Sequence, residues 1–418
     1  MLNIGLDWGS EKHAICSMSE NRRSLAQFEI TNDLEGIHKM VSQVEALGFQ
    51  PEECAVALEG RSEFLILTLS SLGFTIYPLN PKALNRYRDR HKASGATTDR
   101  EAAYLLADIL VIDRHLHNPW QPSSPLGQEI AWITRDQYKL TQQQTRLSNQ
   151  LTACLKQYYP VALDLFTKVA QPITLAFLEA YPTPRAAQAA SYEELQEFFR
   201  SQSYPRLDLL PQIYAKLQGA ALIAPAHVAR TRPRYMLVLA RQLKAVVSAI
   251  KAYHREIQRL PCAQKGLQGL LDEHPDGHIL RSLPGAGDLT AARLLGLFGD
   301  QRSRFCNPDQ IRPLAGTCPV TLSSGKKRVV VLRRACSKMF RDVMQQLARN
   351  GLSQSGWAAA YYGDQIRRHP GEKSRCLRAL ANRWVGIIYK LCNDRLLYDE
   401  QTHLRNCLHQ GHISCDSP

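Results

Sequence analysis

Three carboxylates stand where chemistry on a phosphate ester is possible. Asp7 lies in GLDWGS, and Glu59 lies in VALEG. Asp99 precedes or opens the helix that follows the basic stretch beginning at Arg86. Mg²⁺ prefers hard oxygen ligands, usually a few carboxylates completed by water and substrate phosphate. Two such ions, about 3.5–4 Å apart, stabilise the attacking and the leaving oxygen during phosphodiester cleavage. Taken alone, each side chain also suits a solvated or capping role, and Asp99 would suit a helix N-cap.

A serine in the last third of the chain has many cationic neighbours. Ser323 and Ser324 precede Gly325, and the cations that follow are Lys326, Lys327, Arg328, Arg333 and Arg334. Serine is a weak nucleophile unless a base, a metal or positive charge activates it. Cations can also neutralise the charge that grows on an attacked phosphorus. Taken by itself, the segment is better explained as an exposed turn with a solvated basic patch.

The first third of the chain alternates short apolar strands with amphipathic helices. Strands are predicted over 2–6, 13–18, 54–58 and 75–79, so that Asp7 and Glu59 each follow the end of a strand. Helices are predicted from Asp33, over 64–72 and over 98–110. This order predicts a mixed α/β sheet. The proline-rich segment 119–125 favours a domain boundary at residue 122.

The middle third carries two seams of mainly apolar residues at alternating spacings of three and four. They run over residues 130–158 and 236–260, and Gln137 and Gln144 are polar positions in the first. Seams of this kind are typical of helices that pair as a coiled coil. Two ordinary core helices explain the same spacing. Residues 123–275 are therefore predicted to be all helical.

The last third begins near residue 276. The turn Leu283–Gly287 before residues 289–295 resembles a helix-hairpin-helix turn, whose backbone amides can hold a phosphate at a helix N-terminus. Residues 276–400 are predicted to form a mainly helical domain. The polar residues 401–418 are predicted to be a poorly ordered tail.

The overall charge favours a polyanionic partner. Lys and Arg total 52 against 38 Asp and Glu, which gives a formal net charge of +14. Nucleic acid is the commonest partner for such a surplus. The 11 cysteines contain no Cys-x-x-Cys pair, which argues against a zinc ribbon and suits a reducing compartment. No secretory signal and no bilayer-spanning apolar run is visible, so we expect a cytoplasmic, nucleoid-associated protein without a membrane partner.

Several motifs together resemble one family. GLDWGS, ALEG and YPLNPKALNRYRDRHKASGATTDREAAYLLADIL are similar to the N-terminal domain of insertion-sequence family one-ten transposases, to which the Piv-type DNA invertases are related. LRSLPGAGDLTAARLL and LAGTCPVTLSSGKKRVVVLRRACSK resemble the second domain of that family. The resemblance covers most of the chain outside the helical middle.

The resemblance implies a fold and a set of site residues. It implies an α/β RNase H-like (RuvC-like) N-terminal domain with a DEDD metal site, and a C-terminal transposase domain that supplies a nucleophilic serine. The metal ligands would be Asp7, Glu59 and Asp99, and the nucleophile would be Ser324. The sequence pattern itself adds the all-α coiled-coil middle and the mainly α character of the C-terminal domain. By their charge, the residues expected to hold nucleic acid are Lys92, Arg100, Lys326, Lys327, Arg328, Arg333 and Arg334. Donor and target DNA, a guiding bridge RNA and a homodimer or homotetramer would be the partners.

One position departs from the family pattern. Where the family has Asp-x-x-Asp-Ala, this chain reads Asp99-Arg100-Glu101-Ala102-Ala103, so alanine replaces the fourth carboxylate. Glu101 or Asp108 would have to compensate, although Glu101 points about 100° away from the i+3 direction on a helix. Asp108 lies nine residues beyond Asp99 along the same predicted helix.

Three functions remain open on the sequence. The first is a transposase or recombinase that cuts and rejoins DNA with the carboxylates, two Mg²⁺ ions and Ser324. The second is a metal-dependent junction resolvase or nuclease that uses only the N-terminal site. The third is a nucleic-acid-binding protein whose active site has been lost at Ala102.

Overall fold

The computed structural model describes residues 1–60, 63–91, 98–219, 224–259, 266–325 and 327–409. The chain divides into two compact units. The first consists of residues 1–124 with 301–306, and the second of residues 125–300 with 307–418. The boundary predicted at residue 275 stays a prediction.

A five-stranded mixed sheet forms the centre of the first unit. Its strands are β1 (Leu2–Trp8), β2 (Lys12–Met18), β3 (Ser24–Thr31), β4 (Cys54–Glu59) and β5 (Thr75–Leu79). The spatial order is β3-β2-β1-β4-β5. The first three strands are antiparallel to one another, whereas β4 and β5 run parallel to β1. The prediction of a mixed α/β region is confirmed, and this sheet is consistent with the RNase-H-type domain that the resemblance implies.

Four helices belong to the same unit: α1 (Leu34–Ala46), α2 (Glu63–Ser71), α3 (Pro81–His91) and α4 (Asp99–Asp113). Strand β3 and helix α3 escaped the sequence prediction. Most of the residues of β3 are exposed at an edge of the sheet, so its apolar alternation is weak. Helix α3 is rich in charged residues and offers little apolar periodicity.

The two faces of the sheet are covered differently. Leu2, Ile4 and Leu6 point to the face on which α1 and α2 pack. The opposite face receives α4, through Ala103 and Ala107 and the apolar residues that follow them. Alternate residues of β1 therefore meet different helices.

Gly5 lets the backbone of α4 come into direct contact with β1. A Cβ atom added at Gly5 would lie 1.8 Å from the carbonyl oxygen of Ala103 and 2.5 Å from the amide nitrogen of Ala107. Every residue except glycine carries that atom. Gly5 therefore fixes the height and position of α4 on the sheet.

The second unit is mostly helical. Its helices are α5 (Pro125–Tyr158), α6 (Pro172–Ala180), α7 (Pro184–Ala189), α8 (Tyr192–Ser201), α9 (Leu210–Gln218), α10 (Ala226–Arg259), α11 (Leu267–Glu273), α12 (Gly277–Arg281), α13 (Asp288–Phe298), α14 (Pro308–Leu314), α15 (Lys338–Gly351), α16 (Gly356–Arg368), α17 (Lys373–Asp394) and α18 (Glu400–His409). A two-stranded hairpin, β6 (Val320–Ser324) and β7 (Lys327–Val331), interrupts them.

The two long helices contain the predicted seams and pack against each other; Leu260, the last position of the second seam, lies outside the described residues. Helix α5 contacts α10 and also α13, so its seam is covered by more than one helix of the same chain. Gln137 is buried and accepts a hydrogen bond from Arg293 of α13 at 2.9 Å. Its amide nitrogen lies 3.0 Å from Nε2 of His254 on α10. This polar seam position joins three helices, whereas Gln144 is only half-buried.

One local prediction is corrected. The tail was expected to be poorly ordered from residue 401, but α18 continues to His409, and the carboxylate of Glu400 accepts a hydrogen bond from the Trp357 amide. Residues 410–418 of this tail lie outside the described residues. The phosphate-holding role of the turn at Leu283–Gly287 stays a prediction; the Gly285 amide donates to the side chain of Gln354 at 2.7 Å, so this one donor is used within the protein.

Across the part of the chain that the structure describes, no helix combines the length and the apolar character that crossing a membrane requires.

We predict that Gly5→Ala lowers the free energy of unfolding by about 2–3 kcal/mol, because the new Cβ forces α4 away from the sheet. Denaturant titration followed by circular dichroism measures the loss. The matched control is Gly363→Ala in α16, where nothing lies within 4 Å of an added Cβ. The control should keep or slightly raise stability, since alanine favours helix. Equal stability of the two variants would contradict the close approach at Gly5.

Candidate active site

Two of the predicted ligands lie side by side at the carboxyl edge of the sheet. Asp7 is the second-last residue of β1, and Glu59 is the last residue of β4. The two strands pair in parallel, with Leu6 opposite Leu58. Residues two apart in a strand point to the same face of the sheet. Gly5 and Ala57 face α4, so the side chains of Asp7 and Glu59 belong to that face as well.

The third predicted ligand comes from the first turn of α4. Asp99 is the first residue of this helix, four residues before Ala103, which contacts Gly5. Four helical residues span about 6 Å. The two residues from Gly5 to Asp7 span about 6.6 Å of strand. Asp99 therefore reaches the level of Asp7 because α4 is fixed at Gly5.

The electrostatics of Asp7 show that these carboxylates share one environment. Burial raises the pKa of Asp7, the charges of Asp99 and then Glu59 raise it further, and Arg88 opposes them, which gives a value of about 6. Arg88 belongs to α3, the helix that the sequence did not predict. From the sequence, Arg88 was recognisable only as one member of a basic stretch.

The donor set has the chemistry of a divalent-cation site. All three groups are carboxylates, and the mutual repulsion that raises the pKa of Asp7 is what a bound cation would relieve. Nevertheless, among the residues that the structure describes, no three His, Cys, Asp or Glu side chains stand close enough to form a complete metal cage. The three carboxylates are close enough to influence the charge of Asp7, but their side chains are not arranged as the ligands of a bound metal ion.

Neither candidate replacement for the fourth carboxylate lies in this site. Ala102 is 5 % exposed and has no ligand atom. Glu101 caps its own helix, because its carboxylate accepts a hydrogen bond from the Thr98 amide at 3.2 Å. Asp108 is fully buried and forms two hydrogen bonds with Arg22, at 2.9 and 3.1 Å. Compensation by Glu101 or Asp108 is therefore not observed.

Thr98, and not Asp99, is the N-cap of α4. The Thr98 hydroxyl accepts from the Glu101 amide, which with the Glu101 carboxylate completes a capping box. The N-cap role that the sequence also allowed for Asp99 is thus filled by Thr98. The exposed carboxylate of Asp99 instead sits in the first turn of the helix, where the dipole favours negative charge.

A buried histidine fixes the turn after Asp7, and the sequence did not single it out. His13 is 1 % exposed; its Nδ1 accepts from the Gly9 amide at 3.2 Å, and its Nε2 lies 3.2 Å from Oδ1 of Asn32. Burial lowers the pKa of His13, so the neutral ring with its proton on Nε2 satisfies both contacts. The turn that follows β1 is held in place as a result.

The predicted nucleophile lies at the tip of the β6–β7 hairpin in the second unit. Ser324 pairs with Lys327 across the hairpin, and Ser323 pairs with Arg328. Gly325 occupies the turn with φ of +54°, a value that glycine adopts without strain. Directly opposed residues share a face of a hairpin, so Ser324 and Lys327 are on one face and Ser323 and Arg328 are on the other. The sequence predicted a turn here but not the strands.

The predicted basic residues are distributed over both units. Arg100 is exposed on α4 and lies 3.6 Å from Glu29 of β3. Lys327 and Arg328 are exposed on β7, Arg334 is exposed after it, and Arg333 is half-buried. Lys92 and Lys326 lie outside the described residues.

Comparison with protein families identifies the class. A family model for DEDD-type transposases matches residues 4–160, the region that contains all three carboxylates. This match assigns the chain to the transposases, enzymes that cleave and recombine DNA. A second model, described as transposase IS116/IS110/IS902 family, matches residues 277–363, which include the serine hairpin. The chain belongs to the IS110 family of transposases, as the motif resemblance implied.

Individual relatives agree with this assignment. The chain is 29 % identical over 410 residues to the mini-circle putative transposase for IS117 from Streptomyces coelicolor, covering 95 % of both chains. It is 21 % identical to the insertion element IS900 uncharacterized 42 kDa protein of Mycobacterium paratuberculosis, over 95 % of this chain and 97 % of the relative. A putative transposase of Sinorhizobium fredii is 26 % identical over 53 % of this chain and 60 % of its own length.

We predict that Asp7→Asn stabilises the metal-free protein at pH 8, by about 1 kcal/mol after allowance for solvent screening. The folded pKa of Asp7, about 6, exceeds the ordinary 3.8. Its charged form is therefore disfavoured by folding, and the penalty grows as pH rises from 3.8 to 6. Thermal midpoints at pH 8 and pH 4 measure the gain, which should vanish at pH 4.

The control for this prediction is Asp33→Asn at the N-cap of α1. Hydrogen bonds from the Gly36 amide and from Thr31 lower the pKa of Asp33, so its charged form is favoured by folding. Its removal should bring no gain at pH 8. A stabilisation of Asp7→Asn that is the same at both pH values would show that the ionisation of Asp7, disfavoured by burial and by the neighbouring carboxylates, is not its cause.

Proposed function

We propose that this transposase cuts and rejoins DNA with a Mg²⁺-binding carboxylate site and a nucleophilic serine, Ser324. The observation that carries the proposal is the shared environment of Asp7, Glu59 and Asp99 in a unit that matches the DEDD family model. The serine step is supported by the position of Ser324 within the second matched domain.

The carboxylates would hold a pair of Mg²⁺ ions. When bound, these ions supply charge stabilisation for the attacking and leaving oxygens of a phosphodiester. Asp7 and Glu59 are provided by adjacent strands, and Asp99 is provided by the first turn of α4. Arg88 partly offsets their negative charge and would also offer a positive group to a DNA phosphate.

Ser324 would attack the scissile phosphorus through its hydroxyl oxygen. The new serine–phosphate ester replaces one DNA ester bond, and the DNA strand leaves as a free hydroxyl that takes up a proton. Attack by another DNA hydroxyl then breaks the serine ester and rejoins the backbone. The number of ester bonds is unchanged throughout, so rejoining requires no ATP.

The hairpin suits this role by its exposure and charge. Ser324 is exposed, and Lys327 lies directly opposite on the same face, where its ammonium group can neutralise phosphate charge. Arg328, Arg333 and Arg334 extend the positive charge along and beyond β7. Lys92, Arg100 and Lys326 complete the set that we expect to hold nucleic acid.

The partners that we propose are donor and target DNA, a guiding bridge RNA, and further copies of the chain in a homodimer or homotetramer. The net charge of +14 supports binding of more than one polyanion. Delivery of Ser324 to the carboxylates of another subunit is part of this proposal, with the long helices α5 and α10 as spacers.

A second candidate function is nucleic-acid binding with an inactive carboxylate site. Ala102 is the observation that favours it, because Glu101 and Asp108 are engaged elsewhere and do not replace the missing ligand. The two candidates differ in whether metal-dependent strand cleavage occurs.

We predict that Ser324→Ala abolishes strand exchange and the covalent protein–DNA adduct, because no hydroxyl remains to form the ester. Denaturing gel electrophoresis with end-labelled transposon-end DNA detects the adduct. The neighbouring variant Ser323→Ala is the matched control, since Ser323 belongs to the opposite face of the hairpin and should keep the adduct. Continued strand cutting by Ser324→Ala without an adduct would favour a nuclease or junction resolvase instead.

We predict that Ala102→Asp raises the affinity for Mg²⁺ about tenfold or more, because it adds a carboxylate one helical turn from Asp99. Calorimetric titration with Mg²⁺ measures the change. Ala102→Asn controls for size without charge and should bring little gain. If Ala102→Asp improves neither metal affinity nor cleavage, position 102 does not contribute to the site.

A further inference from the structure

Trp8 is a large aromatic residue at the surface immediately after Asp7. Its exposed fraction is 43 %, although tryptophan is usually much more deeply buried. It is the last residue of β1, so it stands at the carboxyl edge of the sheet, where Asp7 and Glu59 are found. An aromatic surface therefore borders the carboxylate site, and neither the metal chemistry nor the serine step uses it.

The indole is held in place by the neighbouring strand. Its Nε1–H donates to the backbone carbonyl of Glu59, with a distance of 2.6 Å. Directly opposite in β2 is His13, whose ring is buried and fixed by contacts to Gly9 and Asn32. A side chain anchored in this way loses little conformational entropy when a ligand stacks on it. Trp8 is thus a fixed platform and not a loose surface group.

The alternation of β1 determines which way the platform faces. Leu2, Ile4 and Leu6 point to the face that α1 and α2 cover, and Trp8 continues this series beyond the apolar core. Asp7 belongs to the opposite face, with α4. The hydrogen bond to the Glu59 carbonyl nevertheless keeps the indole at the end of β4, beside a residue that carries one of the three carboxylates. A nucleotide whose phosphate reached the carboxylates at this end of the sheet would offer an adjoining base to Trp8.

A second exposed aromatic lies on the helix that packs on that face. Phe64, in the first turn of α2, has an exposed fraction of 79 %. Exposed apolar rings such as those of Trp8 and Phe64 suit the flat, apolar faces of nucleobases. A carboxylate site alone repels DNA, so favourable contacts to the bases would have to offset part of that repulsion.

We propose that Trp8 stacks on a nucleobase adjoining the phosphate that occupies the carboxylate site, and that it positions the strand there. The inference rests on the proposed function, since it takes the carboxylates as the place where DNA is cut. Stacking on an aromatic side chain accepts any base, so Trp8 supplies position and not sequence preference. The occupant is unpaired or locally unstacked DNA, because a base within a duplex does not offer its face.

The test compares two single-stranded 20-nucleotide DNAs of equal charge, one of mixed sequence and one with abasic sites throughout its central third. Binding to the full-length protein is measured by fluorescence anisotropy in Ca²⁺, which suppresses cleavage. The variants are Trp8→Ala, Trp8→Phe and, as a matched control, Trp132→Ala; Trp132 is 46 % exposed in the second unit. Circular dichroism and thermal unfolding show whether each variant is folded.

We expect Trp8→Ala to bind mixed-sequence DNA about tenfold to a hundredfold more weakly and to bind abasic DNA as the wild type does. Trp8→Phe should retain most of the affinity, although it also lacks the hydrogen bond to Glu59. Trp132→Ala should change neither affinity. Intrinsic tryptophan fluorescence gives a second measurement. Mixed-sequence DNA should quench the fluorescence of the wild type and of Trp132→Phe, and the component quenched should be absent from Trp8→Phe.

Three results would overturn the inference. Equal weakening of Trp8→Ala on both DNAs would mean that Trp8 only supports the fold or contacts the backbone. No weakening on either would mean that the indole faces another partner, such as protein. Loss of affinity in Trp8→Phe equal to that in Trp8→Ala would assign the effect to the hydrogen bond. If any of these occurs while the wild type still forms the Ser324 adduct, the stacking proposal alone fails.

Discussion

The first unit depends on the direct contact between the backbone of α4 and Gly5 of β1. No side chain separates the helix from the sheet at this point, so the position of α4 along the strand is set by atoms that cannot rotate away. Asp99 lies one helical turn before Ala103, the residue that contacts Gly5, and this places Asp99 at the level of Asp7. A shift of α4 by even one side-chain thickness would separate the carboxylates. The chemistry of the site therefore rests on a contact that contains no titratable group.

The cluster that results is unfavourable for the folded protein by itself. Asp7 is half-buried among like charges, and its pKa of about 6 expresses the cost of keeping it ionised. A divalent cation would convert that cost into binding free energy, as is common where acids gather at a functional site. Ala102 stands at the position where the motif resemblance implies a fourth carboxylate, and it adds neither a charge nor an oxygen atom there. Arg88 reduces the repulsion around Asp7 further.

In the second unit, Ser324 lies on an exposed hairpin and not in the helical core of that unit. Ser324 stands on a two-stranded hairpin that is exposed along nearly its whole length, including Leu322, Val329 and Val330. Such a hairpin is of marginal stability alone, and its apolar side chains have not been covered by the chain's own helices. In the helical part of the unit, the buried contact between Gln137 and Arg293 joins α5 to α13. A well-anchored helical body that presents an exposed, cationic loop suits a group that must reach a nucleic-acid backbone.

The sequence by itself determined what short-range patterns encode. Alternation placed Asp7 and Glu59 at the ends of strands, a cap followed by apolar periodicity placed Asp99 at the start of a helix, and the motifs indicated the family. Only the tertiary structure decided the rest: the edge strand β3 and the charged helix α3 lack a strong pattern of their own. The hairpin of β6 and β7 was missed although β7 contains the β-branched residues Val329, Val330 and Val331. The salt bridge that commits Asp108 to Arg22 spans 86 residues. Such features are settled by burial and by partners distant along the chain, and a local spacing rule contains no information about either.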